Sequence, residues 1–500
     1  MEVRLNTKTV STLQQLSDQE QQTQIDLESV VPDTRDDIGR IVTVQSNVFL
    51  KSKDITSRGL TVGGELEISV LYITEDGKSL SVLRNGQGFS MDFEFPERDG
   101  EQITLAQLQL RAIEARLVNP RKLSLCAEII GKLQIFSEQQ MPIEYLCPPE
   151  YAQAVHLLSE HRESCAINAV CEKSFTINEQ FPFPDNSVST AGLLYQKIQF
   201  LIGEKQLIGS RLLIKGTMEL TACCLSENSN LPVSSTFSAP FSQLIELGKE
   251  RMDSCEASIQ LNAAYYNIVD TVGTGKVLDC EIHAVVQVQS RCTESIELVT
   301  DAYSNQYPLE MENFELSLPA APDTQTLPIT MEEHVELPEG CTQCLAVFPT
   351  LGLPGIPDGK LCCHVTLDLL CRTAEGNFST VKRVISTETV PEARPQTVPT
   401  VRLQNVSYRP EGGALHVHVN LSASWNEYRA QTQRAVEALI LDESAPLDLA
   451  SFPDLTVVRP NGESLWQLAR SYHSSPEAIQ RLNDSLELSA ENMVFIPRVG

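Results

Sequence analysis

The chain is 500 residues long and 42% hydrophobic, and its 66 acidic against 38 basic side chains leave a net charge of −28. That apolar share excludes disorder throughout, and the length allows about three domains. So negative a field repels phosphate backbones and anionic lipid heads, which excludes nucleic acid and a polybasic membrane contact.

Met1-Glu2-Val3-Arg4 leads into no apolar run, so no secretory signal is expected. No stretch approaches the ~20 apolar residues that span a bilayer, so no direct membrane span is expected either. Fourteen cysteines in a cytoplasmic chain should stay reduced.

Residues 1–26 are rich in Gln, Ser and Thr and read as a weakly ordered polar arm. An internal repeat then sets in. Val31-Pro32-Asp33 recurs as Phe183-Pro184-Asp185, an offset of 152. At that offset Val48 meets Phe200, Leu60-Thr61-Val62-Gly63-Gly64 meets Leu212-Leu213-Ile214-Lys215-Gly216, and Gly88-Phe89-Ser90 meets Pro240-Phe241-Ser242. Lys122 and Cys126 meet Lys276 and Cys280 at an offset of 154. Residues 27–150 and 165–316 are therefore expected to be two copies of one unit.

The copies read as β-rich. Leu66, Ile68, Val70 and Tyr72 alternate with Glu65, Glu67, Ser69 and Leu71, a strand with one buried face, and Glu75-Asp76-Gly77 turns the chain back. Strands at this spacing predict tandem antiparallel sandwich- or barrel-like repeats in a mainly β chain. Residues 330–441 read as a third, divergent β domain. Leu361, Cys363, Val365, Leu367, Leu369 and Cys371 form a period-two face, Ala374-Glu375-Gly376 is a turn, and Ala414 to Leu421 and Ala435 to Leu441 are closing strands. Pro319, Pro322 and Pro328 mark a linker ahead of it, and Pro391, Pro395 and Pro399 interrupt its middle. Residues 442–454 read as a tether.

The period changes over residues 455–498. Ser464 followed three residues later by Gln467 is a capping box, and Leu465, Leu468, Ala469 and Tyr472 recur at helical spacing. Ser475, Pro476 and Glu477 start a second helix, with Ile479 and Leu482 facing inward. Val457-Val458 before and Val494 to Ile496 after are short strands, so the order is βααβ.

This stretch resembles a LysM domain, a small module that binds N-acetylated glycans such as peptidoglycan and chitin. Gly462-Glu463-Ser464-Leu465-Trp466 matches the family's entry to the first helix, Leu482-Asn483 the close of the second, and Phe495-Ile496-Pro497 the exit strand. The resemblance implies a shallow groove between the loop at Asn461, Gly462, Glu463 and Ser464 and the loop that begins at Asn483 and Asp484. Where the family carries a proline and a Gly-Gln turn, this chain carries Asp484, Glu487 and Glu491. A glycan site has no need of three carboxylates, which turns the expectation toward a protein ligand. Arg470, Tyr472, His473 and Arg481 are residue types favoured at protein interfaces and are expected on that surface. Trp466 is expected to pack in the module's core.

Val31 to Val42, the strand Gly63-Gly64-Glu65-Leu66 and Leu71-Tyr72 resemble the SPOCS domain of spore-coat assembly proteins. Such domains followed by one LysM resemble the clostridial spore-coat morphogenetic family that partners the ATPase of the coat's basement layer. The resemblance implies a scaffold or adaptor in coat and cortex assembly, on the mother-cell side of the forespore surface. Its LysM would dock the morphogenetic ATPase or another coat protein. The alternative is a binder of peptidoglycan or other N-acetylglucosamine polymers.

No chemistry competes with this reading. Cys341-Thr342-Gln343-Cys344 has zinc spacing, but adjacent strand residues point to opposite faces, so Cys362 and Cys363 cannot both complete a four-thiolate site. His416 and His418 share one strand face with no carboxylate or third histidine evident, so a solvated face is expected. Gly273-Thr274-Gly275-Lys276 lacks the spacing of a phosphate loop and reads as a hairpin turn. Asp33, Asp36 and Asp37 are expected as turn-formers rather than a carboxylate pair. No catalytic residue, cofactor or metal is expected.

Overall fold

A computed structural model describes residues 2–56, 59–95, 101–184, 188–229, 231–271, 275–392, 395, 398–411, 413–483 and 492–499. Strands dominate, as the alternation of apolar and polar residues requires. A short β1 (Glu2–Arg4) precedes six strands: β2 (Asn6–Val30), β3 (Ile38–Thr56), β4 (Gly59–Thr74), β5 (Leu80–Phe93), β6 (Gln102–Asn119) and β7 (Lys122–Leu146). β3, β4 and β5 form an antiparallel meander, and β7 lies between β2 and β6.

The same order returns in β8 (Val155–Pro182), β9 (Val188–Ile208), β10 (Arg211–Ser226), β11 (Pro232–Glu246), β12 (Ser254–Thr271) and β13 (Gly275–Ser304). Here β10 is the centre of the meander and β13 lies between β8 and β12. Both ends of β4 and β10, and both ends of β6 and β12, stand at the offset of 152 residues seen in the sequence.

It returns once more with its long strands broken. These are β14 (Leu309–Pro319), β15 (Asp323–Glu336), β16 (Cys341–Leu351), β17 (Leu361–Thr373), β18 (Phe378–Thr389), β19 (Thr400–Glu411), β20 (Ala414–Glu427) and β21 (Ala430–Leu441). β17 centres the meander, β20 lies between β15 and β19, and β21 pairs with β14 on one side and β1 on the other.

Each meander packs one face on the neighbouring sheet. In the second unit Leu212, Ile214, Met218 and Phe241 of the meander meet Phe175, Ile177, Ile282 and Val286 of the sheet around β13, all buried. The meanders also meet one another. Val42, Leu71 and Ile73 share a cluster with Leu194, Tyr195 and Cys223 and with Ala346, Phe348 and Leu370. The far ends of the long strands share another, in which Val3 of β1 packs with Tyr145, Leu298 and Leu439. Contacts of this kind join the three units into one body.

Two sequence expectations change. The segment expected as a weakly ordered arm is strand, with β2 paired to β7 from Asn6 to Val30. Its polar composition hides it from pattern reading because most of its side chains face water, where Thr9 donates to Gln140 at 3.1 Å and Gln22 to Glu128 at 3.1 Å. The prolines expected as a linker lie mostly within strands: Pro319 ends β14, and Pro328 sits inside β15. β15 is the outer strand of its sheet, where a missing N–H is tolerated.

The turns follow their chemistry. Gly77 has φ 72° and closes on Thr74, and Gly376 has φ 87° and closes on Thr373. Among the described residues no helix is long and apolar enough to cross a membrane.

Candidate functional site

The C-terminal module has the element order its sequence dictates, but of the two residues of the second helix expected to face inward Ile479 is buried and Leu482 is exposed. β22 (Leu455–Val458) pairs antiparallel with β23 (Val494–Pro497), and α1 (Leu465–Ser471) and α2 (Pro476–Leu482) lie between them in the chain. Ser464 Oγ accepts from the Gln467 backbone N–H at 3.2 Å, and Gln467 Oε1 accepts from the Ser464 N–H at 2.8 Å. That reciprocal pair satisfies two of the donors a helix start leaves unpaired. Ser475 caps α2 by accepting from Ala478 at 3.1 Å. Leu468, Ala469, Ile479, Val494 and Ile496 form the core.

That core is completed from outside the module. Tyr303, at the end of β13, is 5% exposed and belongs to the same cluster. Its ring meets that of Trp466 edge-on, 4.8 Å between centroids, and its hydroxyl donates to the Ser474 carbonyl at 2.8 Å. Two residues earlier Asp301 accepts from the Trp466 indole at 2.8 Å and lies 2.9 Å from Arg470 Nη1 through both oxygens. Asn305 donates to Ser474 at 3.3 Å and contacts the ring of His156 at 2.9 Å. Burial holds His156 below the ordinary imidazole range. The tether is held as well: Arg498 donates to the Phe452 carbonyl at 2.9 Å and pairs with Asp454 at 2.6 Å.

The predicted site residues therefore divide. Asn461, Gly462, Glu463 and Ser464 form an exposed loop, with Gly462 at φ 93°. Tyr472 and Arg481 are exposed. His473, at φ 50°, packs on Phe452 with centroids 4.5 Å apart. Arg470, expected to face a partner, instead faces Asp301 of the same chain. Asn483, expected on the rim of the groove, is a bracket: its amide donates to the Ile479 and Phe495 carbonyls, each at 2.7 Å, and accepts from the Phe495 N–H at 2.9 Å. Asp484, with Glu487 and Glu491, lies outside the described residues. Trp466 joins the core as expected, at the seam with the body. Asp301, Tyr303, Asn305 and His156 carry no local motif and were missed by sequence reasoning.

The other candidates also find their places. Asp33 and Asp37 flank Arg121 at 3.0 and 2.7 Å beside a turn at Pro32 to Arg35. The partner of Asp33 in the repeat, Asp185, lies outside the described residues, as do Gly273 and Thr274. Thr271 and Gly275 face each other across the β12–β13 hairpin. Cys344 opposes Cys371 on β17, not Cys362 or Cys363. The hydrogen bond between these two thiols lowers Cys344 and raises Cys371, which burial raises further. Cys363 is buried, while Cys362 is partly exposed and its thiol donates to the Lys360 carbonyl at 3.9 Å. His416 and His418 do share the outer face of β20, but His416 is buried there rather than solvated, and β15 sets a carboxylate and a third histidine against them, Glu332 and His334.

Among known proteins, the family model of the LysM domain matches residues 460–497. No curated protein and no solved structure matches the chain. The chain is thus mainly β, with a C-terminal LysM domain that contains two helices.

Proposed function

We propose that this chain is a non-enzymatic scaffold or adaptor of spore-coat and cortex assembly, whose LysM domain holds a morphogenetic coat protein. The observation that carries the reading is the module's orientation. α1 is fixed to β13 through Asp301 and Tyr303, while the Asn461-to-Ser464 loop stays exposed. LysM domains bind N-acetylglucosamine polymers or proteins. Between Asn483 and Met493 this one carries Asp484, Glu487 and Glu491, carboxylates with which a basic polypeptide segment can pair. The resemblance of Val31 to Val42 and Gly63 to Leu66 to SPOCS domains supports the coat setting, on the mother-cell side of the forespore. The coat's basement-layer ATPase is the partner that resemblance suggests.

A second reading is kept because the matched residues include the exposed turn at Gly462: the module binds peptidoglycan. Two measurements separate the readings. The full-length chain, fluorescently labelled in sporulating cells, is expected at the forespore surface, and Asp484→Asn, Glu487→Gln and Glu491→Gln together should release it. Saturable binding of N-acetylglucosamine oligomers, untouched by those changes, together with a diffuse or wall-bound label, would overturn the scaffold reading.

A further inference from the structure

Three of the chain's eight histidines come together on one face of two neighbouring strands. His334 stands opposite His416 across the β15–β20 ladder, and Glu332 stands opposite His418. Period-two alternation puts these four on the outer face, because Leu415, Val417 and Val419 between them point into the core. The His416 ring stacks on His334 at 4.5 Å and lies 4.3 Å from His418. Glu332 sits between the last two, with Oε1 3.2 Å from His418 Nδ1 and Oε2 3.7 Å from His416 Nε2. The ligating atoms of Glu332, His416 and His418 all lie within 4.8 Å of one another.

We infer that Glu332, His416 and His418 bind one divalent first-row transition-metal ion of the zinc class. Two imidazoles and a carboxylate are a set such ions favour, and water would complete the sphere. Ligands about 2.1 Å from a tetrahedral ion stand about 3.4 Å apart, so small side-chain rotations suffice. Two of the ligands come from β20 and one from β15, so the ion staples an outer strand to its neighbour. His334 and Glu411 converge on His416 as well, but their rival site lacks a carboxylate already lodged between two rings.

Arg409, on β19 opposite His416, opposes the ion. Its Nη2 lies 3.1 Å from His416 Nδ1. A guanidinium only donates, so Nδ1 accepts, and the neutral ring carries its proton on Nε2, facing Glu332. An ion taking Nε2 releases that proton to solvent, and Nδ1 takes up another. Nδ1–H then repels the guanidinium, which must turn away. A glutamine there would accept from Nδ1–H, the support that metal-bound histidines ordinarily receive.

The test is a Co²⁺ titration of the full chain, read by absorption. Cobalt held by nitrogen and oxygen gives weak visible bands without the intense thiolate band that the 14 cysteines would produce. One equivalent with the former spectrum is expected, abolished by the double variant H418A/E332Q and tightened about tenfold in R409Q. Both changed ligands are at least partly exposed, and an unaltered urea transition of the metal-free variant shows that its fold survives. The inference is overturned if no cobalt is retained, if the spectrum is that of thiolates, if binding survives H418A/E332Q, or if R409Q does not tighten it.

Discussion

The indole N–H of Trp466 donates to Asp301 at 2.8 Å across 165 residues of sequence, so the LysM domain's first helix is pinned to the last strand of the second unit. Arg470 reinforces the bond from the next turn of the helix, 2.9 Å from the same carboxylate. Both donors converge on one acceptor, so Asp301 is the point at which the module's orientation is set. Domain contacts inside a chain are otherwise expected to permit relative motion.

Trp466→Phe keeps a ring against Tyr303 and removes the bond. A hydrogen bond to a charged group contributes about 1.5–3 kcal/mol. The expected result is a module that still folds but detaches: faster hydrogen exchange in α1 and protease cleavage within residues 442–454, with the melting of the β body unchanged. Asp301→Asn should do the same, since its amide oxygen can still accept the indole N–H but the ion pair with Arg470 is lost. Unchanged cleavage in both variants would show that the apolar contact alone holds the module.

Tyr303 separates that apolar contact from its polar one. Tyr303→Phe loses only the bond to Ser474 and should cost about 1 kcal/mol. Tyr303→Ala opens a cavity in the cluster with Leu468 and Ile479 and should cost about 3–5 kcal/mol. Urea unfolding followed by Trp466 fluorescence distinguishes the two, since the other tryptophan, Trp425, lies in the third unit's core.

The docking should weaken in acid. His156 stacks on Tyr303 at 4.9 Å, and burial, only partly opposed by Glu477, holds it below its ordinary value of 6.5. Above that value both the folded and the unfolded chain carry a neutral ring, and its contribution is complete. As pH falls through 6.5 the unfolded chain takes up the proton first, so stability declines until the lower folded value is passed. Hydrogen exchange in α1 should therefore accelerate, relative to the β body, as pH falls through 6.5. His156→Gln should flatten that difference.

What could be read beforehand was what is local. The capping box at Ser464 and Gln467, the Pro476 start of α2 and the Gly77 and Gly376 turns are each set by a few consecutive residues. The alternation in β4 and β17 likewise reports a face the strand must bury wherever its partners lie. What could not be read depends on pairing across long stretches of chain. His334 meets His416 only because β15 and β20 run antiparallel in one register, and Arg470 is engaged only because β13 ends beside α1. β2 was unreadable for a different reason: its bonds are backbone bonds to β7, to which polar side chains give no clue.

The last prediction uses a pair of positions that occurs twice. Gly64 faces Phe89 across the β4–β5 ladder, and Gly216 faces Phe241 across β10–β11. A methyl on Gly64 would come 2.3 Å from the tip of the Phe89 ring, and one on Gly216 would come 2.6 Å from that of Phe241 and 2.3 Å from the Leu201 carbonyl. Each phenylalanine thus lies over the bare backbone of its glycine, a pairing that restores the packing glycine lacks. Gly64→Ala must move a ring, which overpacks the site and should cost about 1–3 kcal/mol. Gly216→Ala must also displace backbone and should cost more. Urea midpoints of the two variants test the order. Equal midpoints would mean that the Leu201 carbonyl yields freely, and that the two units differ in sequence more than in stiffness.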